Sequence, residues 1–180
     1  MNLPQTPQQL AREAKQAYES EDLQRAGATF LAAENGYRAA GDSINAAEMA
    51  NNRSVVLLQS GDAQAAFEAV EGTVEVFVRA GERKKQALAL GNRAAALAAL
   101  KRKEEAEKLF WEAAQILRDL GEDDLRASVL QSISRLQLGS GRYLEALASM
   151  ESGIEGVKKP SMTQRLLKKL LEIPGKLMNR

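Results

Sequence analysis

Small and large apolar residues recur along the chain with a period of 40 residues, which Gly41, Gly81 and Gly121 mark. Aligned at this period, four columns have the same character in every row: Ala26, Ala66, Ala106 and Ala146; Phe30, Val70, Phe110 and Met150; Ala33, Thr73, Ala113 and Gly153; Ala14, Ser54, Ala94 and Ser134. A small residue lets a neighbouring helix approach, and a large residue fills the adjoining space. The pattern predicts four repeats within residues 1–159. They span about residues 1–40, 41–80, 81–120 and 121–159.

Each repeat contains two helical segments, and the signals are clearest in repeat two. Asp42 is expected to cap a helix that runs to about Gln59, because its carboxylate accepts the free N–H groups of the first turn. Asp62 is expected to cap a second helix that runs to about Arg79. Helix pairs that cannot bury their apolar faces alone stack into a solenoid. The sequence therefore predicts an all-α solenoid of four antiparallel helix pairs.

Repeats one and three differ from repeat two in their turn signals. Thr6, Pro7 and Gln9 form a capping-box pattern with proline at the first helical position. The turn at 101–103 reads Lys-Arg-Lys and has no glycine. We expect a type I turn there, because that turn does not require a left-handed residue.

Two segments of repeat three carry a recognisable order of small and aromatic residues. Residues 91–97 read GNRAAAL, and residues 101–106 read KRKEEA, followed by Phe110 and Ala113. This order resembles the tetratricopeptide repeat, and the resemblance covers residues 7–157. The 40-residue period is similar to that of the family's longer-helix subclass. The resemblance implies a right-handed superhelix in which the first helix of each repeat lines a groove. It also implies that partner peptides bind in this groove and that the protein is not an enzyme, because the family is mostly non-enzymatic.

The resemblance also implies candidate groove residues on those first helices. They are Arg12, Asn52 and Asn92 and, three residues further along the same face, Lys15, Val55 and Arg135. Asparagine can bind a peptide backbone with both donor and acceptor, and a basic side chain can pair with a carboxylate. In an alternative interpretation, Asn52 and Asn92 only join neighbouring repeats by hydrogen bonds.

Residues 160–180 form a separate basic segment with apolar residues at helical spacing. Residues 158–180 carry seven basic groups and one acidic group, a net charge of +6, whereas the whole chain is +1. The basic side chains most suited to contact a membrane or a partner are Arg165, Lys168, Lys169 and Lys176. Three interpretations stay open: a helix that caps the fourth repeat, an amphipathic helix on an anionic membrane, or an exchangeable segment that docks in a groove.

Composition limits the chemistry that the chain can perform. It contains neither cysteine nor histidine, which excludes disulfides, thiolate or imidazole metal sites, and catalysis by those residues. The acidic residues have the spacing of solvated helix faces. We therefore predict no cofactor, no metal and no enzymatic activity. Nucleic acid is not predicted as a partner, because the basic residues of the C-terminal segment lack aromatic partners and residues 1–157 carry a net negative charge.

The predicted function is that of an adaptor or scaffold which holds a protein or peptide partner in its groove. The first residues, MNLPQTPQQL, lack the apolar region of a signal peptide, and no run approaches the ~20 apolar residues of a membrane span. A cytoplasmic location is therefore expected. The alternative function is a peripheral membrane scaffold anchored by the basic C-terminal helix. The sequence leaves the client and the oligomeric state open.

Overall fold

The structure, a computed structural model, describes residues 5–154, and this range contains helices and turns but no strand. Its nine helices are α1 (Pro7–Glu19), α2 (Leu23–Ala39), α3 (Ser43–Gln59), α4 (Ala63–Ala69), α5 (Thr73–Arg79), α6 (Arg83–Ala99), α7 (Lys103–Asp119), α8 (Asp123–Leu138) and α9 (Tyr143–Ile154). The prediction of an all-α fold is confirmed. The helix predicted within residues 160–180 lies outside the described residues.

The helices form two compact units, with the boundary between Leu109 and Phe110, inside α7. In the first unit, α1 packs on α2, α2 packs on α3, and α3 packs on α4 and α5. Helix α6 packs on α3, α4 and α5 in the same unit, and α8 packs on α9 in the second. Within each unit, packing between helices that are close in the sequence is the arrangement expected of stacked helix pairs in a helical solenoid.

The repeating columns of small residues are buried, as the sequence pattern predicts. All four alanines of the first column, Ala26, Ala66, Ala106 and Ala146, are 0% exposed. Ser134, which replaces alanine in another column, is also 0% exposed. Its hydroxyl donates a hydrogen bond of 2.9 Å to the carbonyl oxygen of Ala146. A small polar side chain is tolerated there because the neighbouring helix supplies its partner.

The predicted helix caps of repeats one and two are confirmed. The Thr6 hydroxyl accepts from the N–H of Gln9 at 3.2 Å, and the Gln9 side-chain oxygen accepts from the N–H of Thr6 at 2.8 Å. Pro7 occupies the first helical position. Asp42 and Asp62 each accept a 3.0 Å bond from the N–H three residues later. These bonds satisfy N–H groups that have no partner inside the helix.

Within residues 5–154, seven of the eight connections between helices recur every 20 residues, and each of these seven contains one residue of positive φ. These residues are Glu21, Gly41, Gly61, Gly81, Lys101, Gly121 and Gly141. The prediction for repeat three is wrong, because Lys101 has a φ of 66°. The N–H of Arg102 donates to the Leu97 carbonyl at 2.9 Å, and this bond of a left-handed helix end requires that backbone conformation.

Lys101→Gly is expected to stabilise the protein by about 1 kcal/mol, because the left-handed conformation costs an L-residue about 1–2 kcal/mol. The shift in the urea midpoint measures the effect. Gly121→Ala is the matched control and is expected to destabilise by a similar amount. A Cβ at Gly121 would meet no atom within 4 Å, so only the backbone conformation is tested. A lower urea midpoint for Lys101→Gly would contradict this account.

The second helix of repeat two is interrupted, and the prediction of one helix to about Arg79 is wrong. Helix α4 ends at Ala69, and α5 begins at Thr73. Between them Gly72 has a φ of 76°, which is incompatible with a continuous right-handed helix. The Val70 carbonyl accepts from the N–H of Thr73 at 3.2 Å and from its hydroxyl at 2.8 Å. These local bonds replace the helical bond and hold the break in place.

Candidate functional site

A cavity of about 470 Å³ lies between α1 and α3 in the first unit. Four of the six predicted groove residues line it: Arg12, Lys15, Asn52 and Val55. The other lining residues are Ala11, Tyr18, Phe30, Glu48 and Met49. Its volume is within the range of cavities that bind small ligands or single side chains of a partner.

Helical spacing brings these side chains together. Arg12 and Lys15 are three residues apart on α1, and Asn52 and Val55 are three apart on α3, so each pair shares one face of its helix. The Tyr18 hydroxyl accepts a hydrogen bond from the Gln59 side chain at 2.6 Å, which joins the two helices. The cavity therefore has a basic wall on α1 and an amide on the facing helix.

The floor of the cavity is apolar. Phe30 from α2 and Met49 from α3 are 4% and 7% exposed, and Val55 adds a β-branched side chain. An aliphatic or aromatic side chain placed here would exchange water for apolar contacts. The cavity thus combines an apolar floor with polar and basic groups at its edge, the usual arrangement of a recognition pocket.

Glu48 is the acidic residue among the cavity-lining side chains, and Lys85 from α6 pairs with it. The Lys85 ammonium lies 2.7 Å from the Glu48 carboxylate, and this hydrogen bond raises the pKa of Lys85 above its ordinary value. Lys85 is consequently charged at neutral pH and offsets the charge of Glu48. Arg12 and Lys15 place positive charge at the cavity edge, where Lys15 also lies 4.0 Å from the carboxylate of Glu19 on the same helix.

The remaining predicted groove residues lie elsewhere. Asn92 on α6 donates a hydrogen bond of 3.0 Å to the side-chain oxygen of Asn51 and is not among the cavity-lining residues. Arg135 is exposed on α8 in the second unit. The predicted contact residues of the C-terminal segment lie outside the described residues: Arg165, Lys168, Lys169 and Lys176.

Sequence reasoning missed Tyr18 and Glu48 as cavity residues. Tyr18 follows Lys15 by three positions, and Glu48 precedes Asn52 by four. Residues at these spacings share a helix face. Extending each predicted pair by one helical turn would have identified both.

A sequence model of the family described as tetratricopeptide repeat matches residues 85–159, which include most of α6 and all of α7, α8 and α9. Residues 85–159, fewer than half of the 180 in the chain, are therefore similar to tetratricopeptide repeats. No curated protein matches the chain. Tetratricopeptide repeats generally mediate protein–protein interaction, and proteins of the family are typically scaffolds rather than enzymes. The α1–α3 cavity precedes the matched range, so its residues are assigned from the structure alone.

The described residues contain neither a candidate metal site nor a candidate membrane-spanning helix. Residues 5–154 hold no group of three or more acidic side chains placed to bind a metal ion. In the same part of the chain, no helix has both the length and the apolar character needed to cross a membrane.

Asn92→Ala is expected to destabilise the protein by about 1 kcal/mol, because it leaves the Asn51 side chain, which is 7% exposed, without its donor. Thermal denaturation followed by circular dichroism measures the loss. Asn52→Ala is the matched control, and its melting temperature should stay close to that of the wild type. Equal melting temperatures for Asn92→Ala and the wild type would remove the Asn51–Asn92 bond as a link between α3 and α6.

Proposed function

We propose that the protein is a cytoplasmic, non-enzymatic adaptor that binds a partner peptide in the cavity between α1 and α3. The observation that carries the proposal is the meeting of Arg12, Lys15, Asn52 and Val55 around one cavity with an apolar floor. These residues come from two helices about 40 positions apart in the sequence, and three of the four are polar or basic.

The chemistry of the cavity favours a peptide with an apolar side chain next to an acidic group. The apolar side chain would lie against Phe30 and Met49, where burial provides most of the binding free energy. The acidic group would pair with Arg12 or Lys15, and the Asn52 amide would bind the peptide backbone. The charged contacts set orientation and association rate more than affinity.

The test is affinity capture from a lysate, with wild type compared with a triple variant, Arg12→Ala, Lys15→Ala and Asn52→Ala. Arg12 and Lys15 are exposed, so the variant should remain helical by circular dichroism. We expect at least a tenfold loss of a client that the wild type recovers. Synthetic peptides from that client would then locate the bound segment by isothermal titration calorimetry.

A matched control removes the same residue types from other surfaces. Asn35→Ala, Arg79→Ala and Lys84→Ala change one asparagine, one arginine and one lysine that do not line the cavity. This control should recover the client as well as the wild type does. Equal recovery by the cavity variant would show that the α1–α3 cavity is not the binding surface.

A further inference from the structure

A second cavity, of about 480 Å³, lies on the other side of α3, between α2, α3 and the α4–α5 break. Ala50, which lines it, is about 160° around the helix from Asn52, which lines the first cavity. The two cavities therefore occupy different faces of the first unit, and a ligand in one does not occupy the other.

One wall of this second cavity is a pair of arginines held by a buried carboxylate. Glu34 is 3% exposed, and one of its oxygens accepts from Arg38 at 2.8 Å. The other oxygen accepts from the Nε of Arg53 at 3.1 Å and lies 3.0 Å from its Nη2. Glu34 therefore holds the guanidinium of Arg53, whose side chain is 20% exposed, in place before any ligand arrives, which lowers the entropy lost on binding. Arg38 pairs with the same carboxylate from the exposed side.

The arginines keep donors for a ligand. Glu34 engages one edge of the Arg53 guanidinium, and each guanidinium has further N–H groups in its plane. The side chain of Arg38 is 68% exposed, and no side-chain nitrogen or oxygen buried in the described residues lacks a hydrogen-bond partner. The remaining donors thus face accessible space, where a carboxylate is their natural acceptor.

The other wall carries the opposite charge. Glu68 near the end of α4 and Glu71 in the α4–α5 break are exposed and line the cavity. The break places Glu71 at the rim, because residues 70–72 leave the helical path there. The floor between the walls consists largely of small residues: Ala46, Ala47, Ala50 and Ala69.

We propose that this second cavity docks a protein segment that presents one acidic and one basic side chain across a surface of small residues. The acidic side chain pairs with Arg38 and Arg53, and the basic side chain pairs with Glu68 and Glu71. A ligand of a single charge would meet repulsion from one wall, because like charges at short range oppose binding. A sphere of the cavity volume is about 10 Å across, which accommodates two side chains one helical turn apart.

The experiment is an NMR titration of the ¹⁵N-labelled full chain with the blocked peptide acetyl-Glu-Ala-Ala-Ala-Lys-amide. We expect saturable shifts at the amides of Ala46, Ala50 and Gly72, with a Kd on the order of 1 mM. Peptides with glutamine in place of the glutamate or the lysine should bind at least tenfold more weakly. The protein variants Arg38→Gln and Glu71→Gln should each weaken binding of the mixed-charge peptide at least tenfold.

Arg79→Gln is the control, because Arg79 is an exposed arginine on α5 that does not line the cavity. Its affinity should equal that of the wild type. Three results would overturn the proposal: no shifts at the lining amides, tighter binding by Glu71→Gln, or the same shifts with inorganic phosphate. Tighter binding by Glu71→Gln would show that the cavity binds a carboxylate alone. The same shifts with inorganic phosphate would show that it binds anions in general.

Discussion

Phe77→Ala is expected to lower the free energy of unfolding by about 4 kcal/mol, the usual cost of truncating a fully buried phenylalanine. Phe77 is 1% exposed and packs with Ala47 from α3 and Ala89 from α6. The buried neighbours are alanines, which have no side-chain length to close the cavity that the truncation leaves, and the larger side chains packed against this cluster, Ile44, Val74 and Val76, are only partly buried. Urea denaturation followed by circular dichroism measures the loss.

The control for this prediction is Val78→Ala, one residue later on α5. Val78 is 53% exposed, so its truncation is expected to change stability by less than about 0.5 kcal/mol. A seven-residue helix is too short to be stable alone in water, and α5 must therefore be held by tertiary packing. A small effect of Phe77→Ala would mean that another contact holds α5 against α3 and α6.

Arg53→Ala is expected to destabilise the protein by about 3 kcal/mol. The substitution leaves Glu34 buried with Arg38 as its remaining charged partner, and an undercompensated buried carboxylate is strongly destabilising. Arg38→Ala should cost less than about 1 kcal/mol, because the Arg38 side chain is 68% exposed and its ion pair is screened by solvent. Thermal denaturation of both variants provides the comparison.

A second substitution separates the buried charge from the lost packing of the arginine stem. Adding Glu34→Gln to Arg53→Ala removes the negative charge and keeps the shape of the side chain. We expect the double variant to be more stable than Arg53→Ala alone. If the double variant were less stable, the cost of Arg53→Ala would come from packing of its aliphatic stem rather than from the Glu34 charge.

The sequence predicted the core well because burial and helix spacing impose the same pattern in each repeat. A residue in the column of Ala26 must be small wherever a neighbouring helix crosses it, so the requirement recurs at Ala66 and Ala146. The cap at Thr6 was predictable for a local reason, since all its hydrogen bonds lie within four residues. The division of residues 1–159 into four repeats remains a prediction.

The break between α4 and α5 was not predictable from local pattern. A single glycine is tolerated inside many helices at a cost of about 1 kcal/mol, so Gly72 alone does not indicate an interruption. The hydrogen bonds from Thr73 to Val70 and the packing of Phe77 on α3 and α6 decide the outcome. The predicted type I turn at 101–103 was wrong for a related reason. The geometry of the turn requires positive φ at Lys101, and this requirement outweighs the preference of lysine for negative φ.

Which candidate residues share a helix face could be predicted from their spacing in the sequence. Which residues of neighbouring helices they contact could not. Arg12 and Lys15 share one helix face by their spacing, as do Asn52 and Val55, and the structure brings all four to one cavity. Their role in binding a partner stays a prediction. Asn92 has the same repeat position as Asn52, yet it bonds to Asn51, 41 residues earlier. A strict 40-residue period does not anticipate this offset of one residue, which depends on how α3 and α6 cross.

The regular spacing of the turns limits how such a chain can grow. Helices α2, α3, α6 and α7 are each 17 residues long, and a turn completes a block of 20. In a solenoid of antiparallel helix pairs, which the sequence predicts, successive blocks run in opposite directions. Duplication of a single 20-residue block would therefore reverse the direction of every helix that follows it. Each of those helices would then also face the neighbours that suited the helix before it. Duplication of two blocks preserves both, so lengthening by gene duplication is neutral to the fold only in steps of 40 residues.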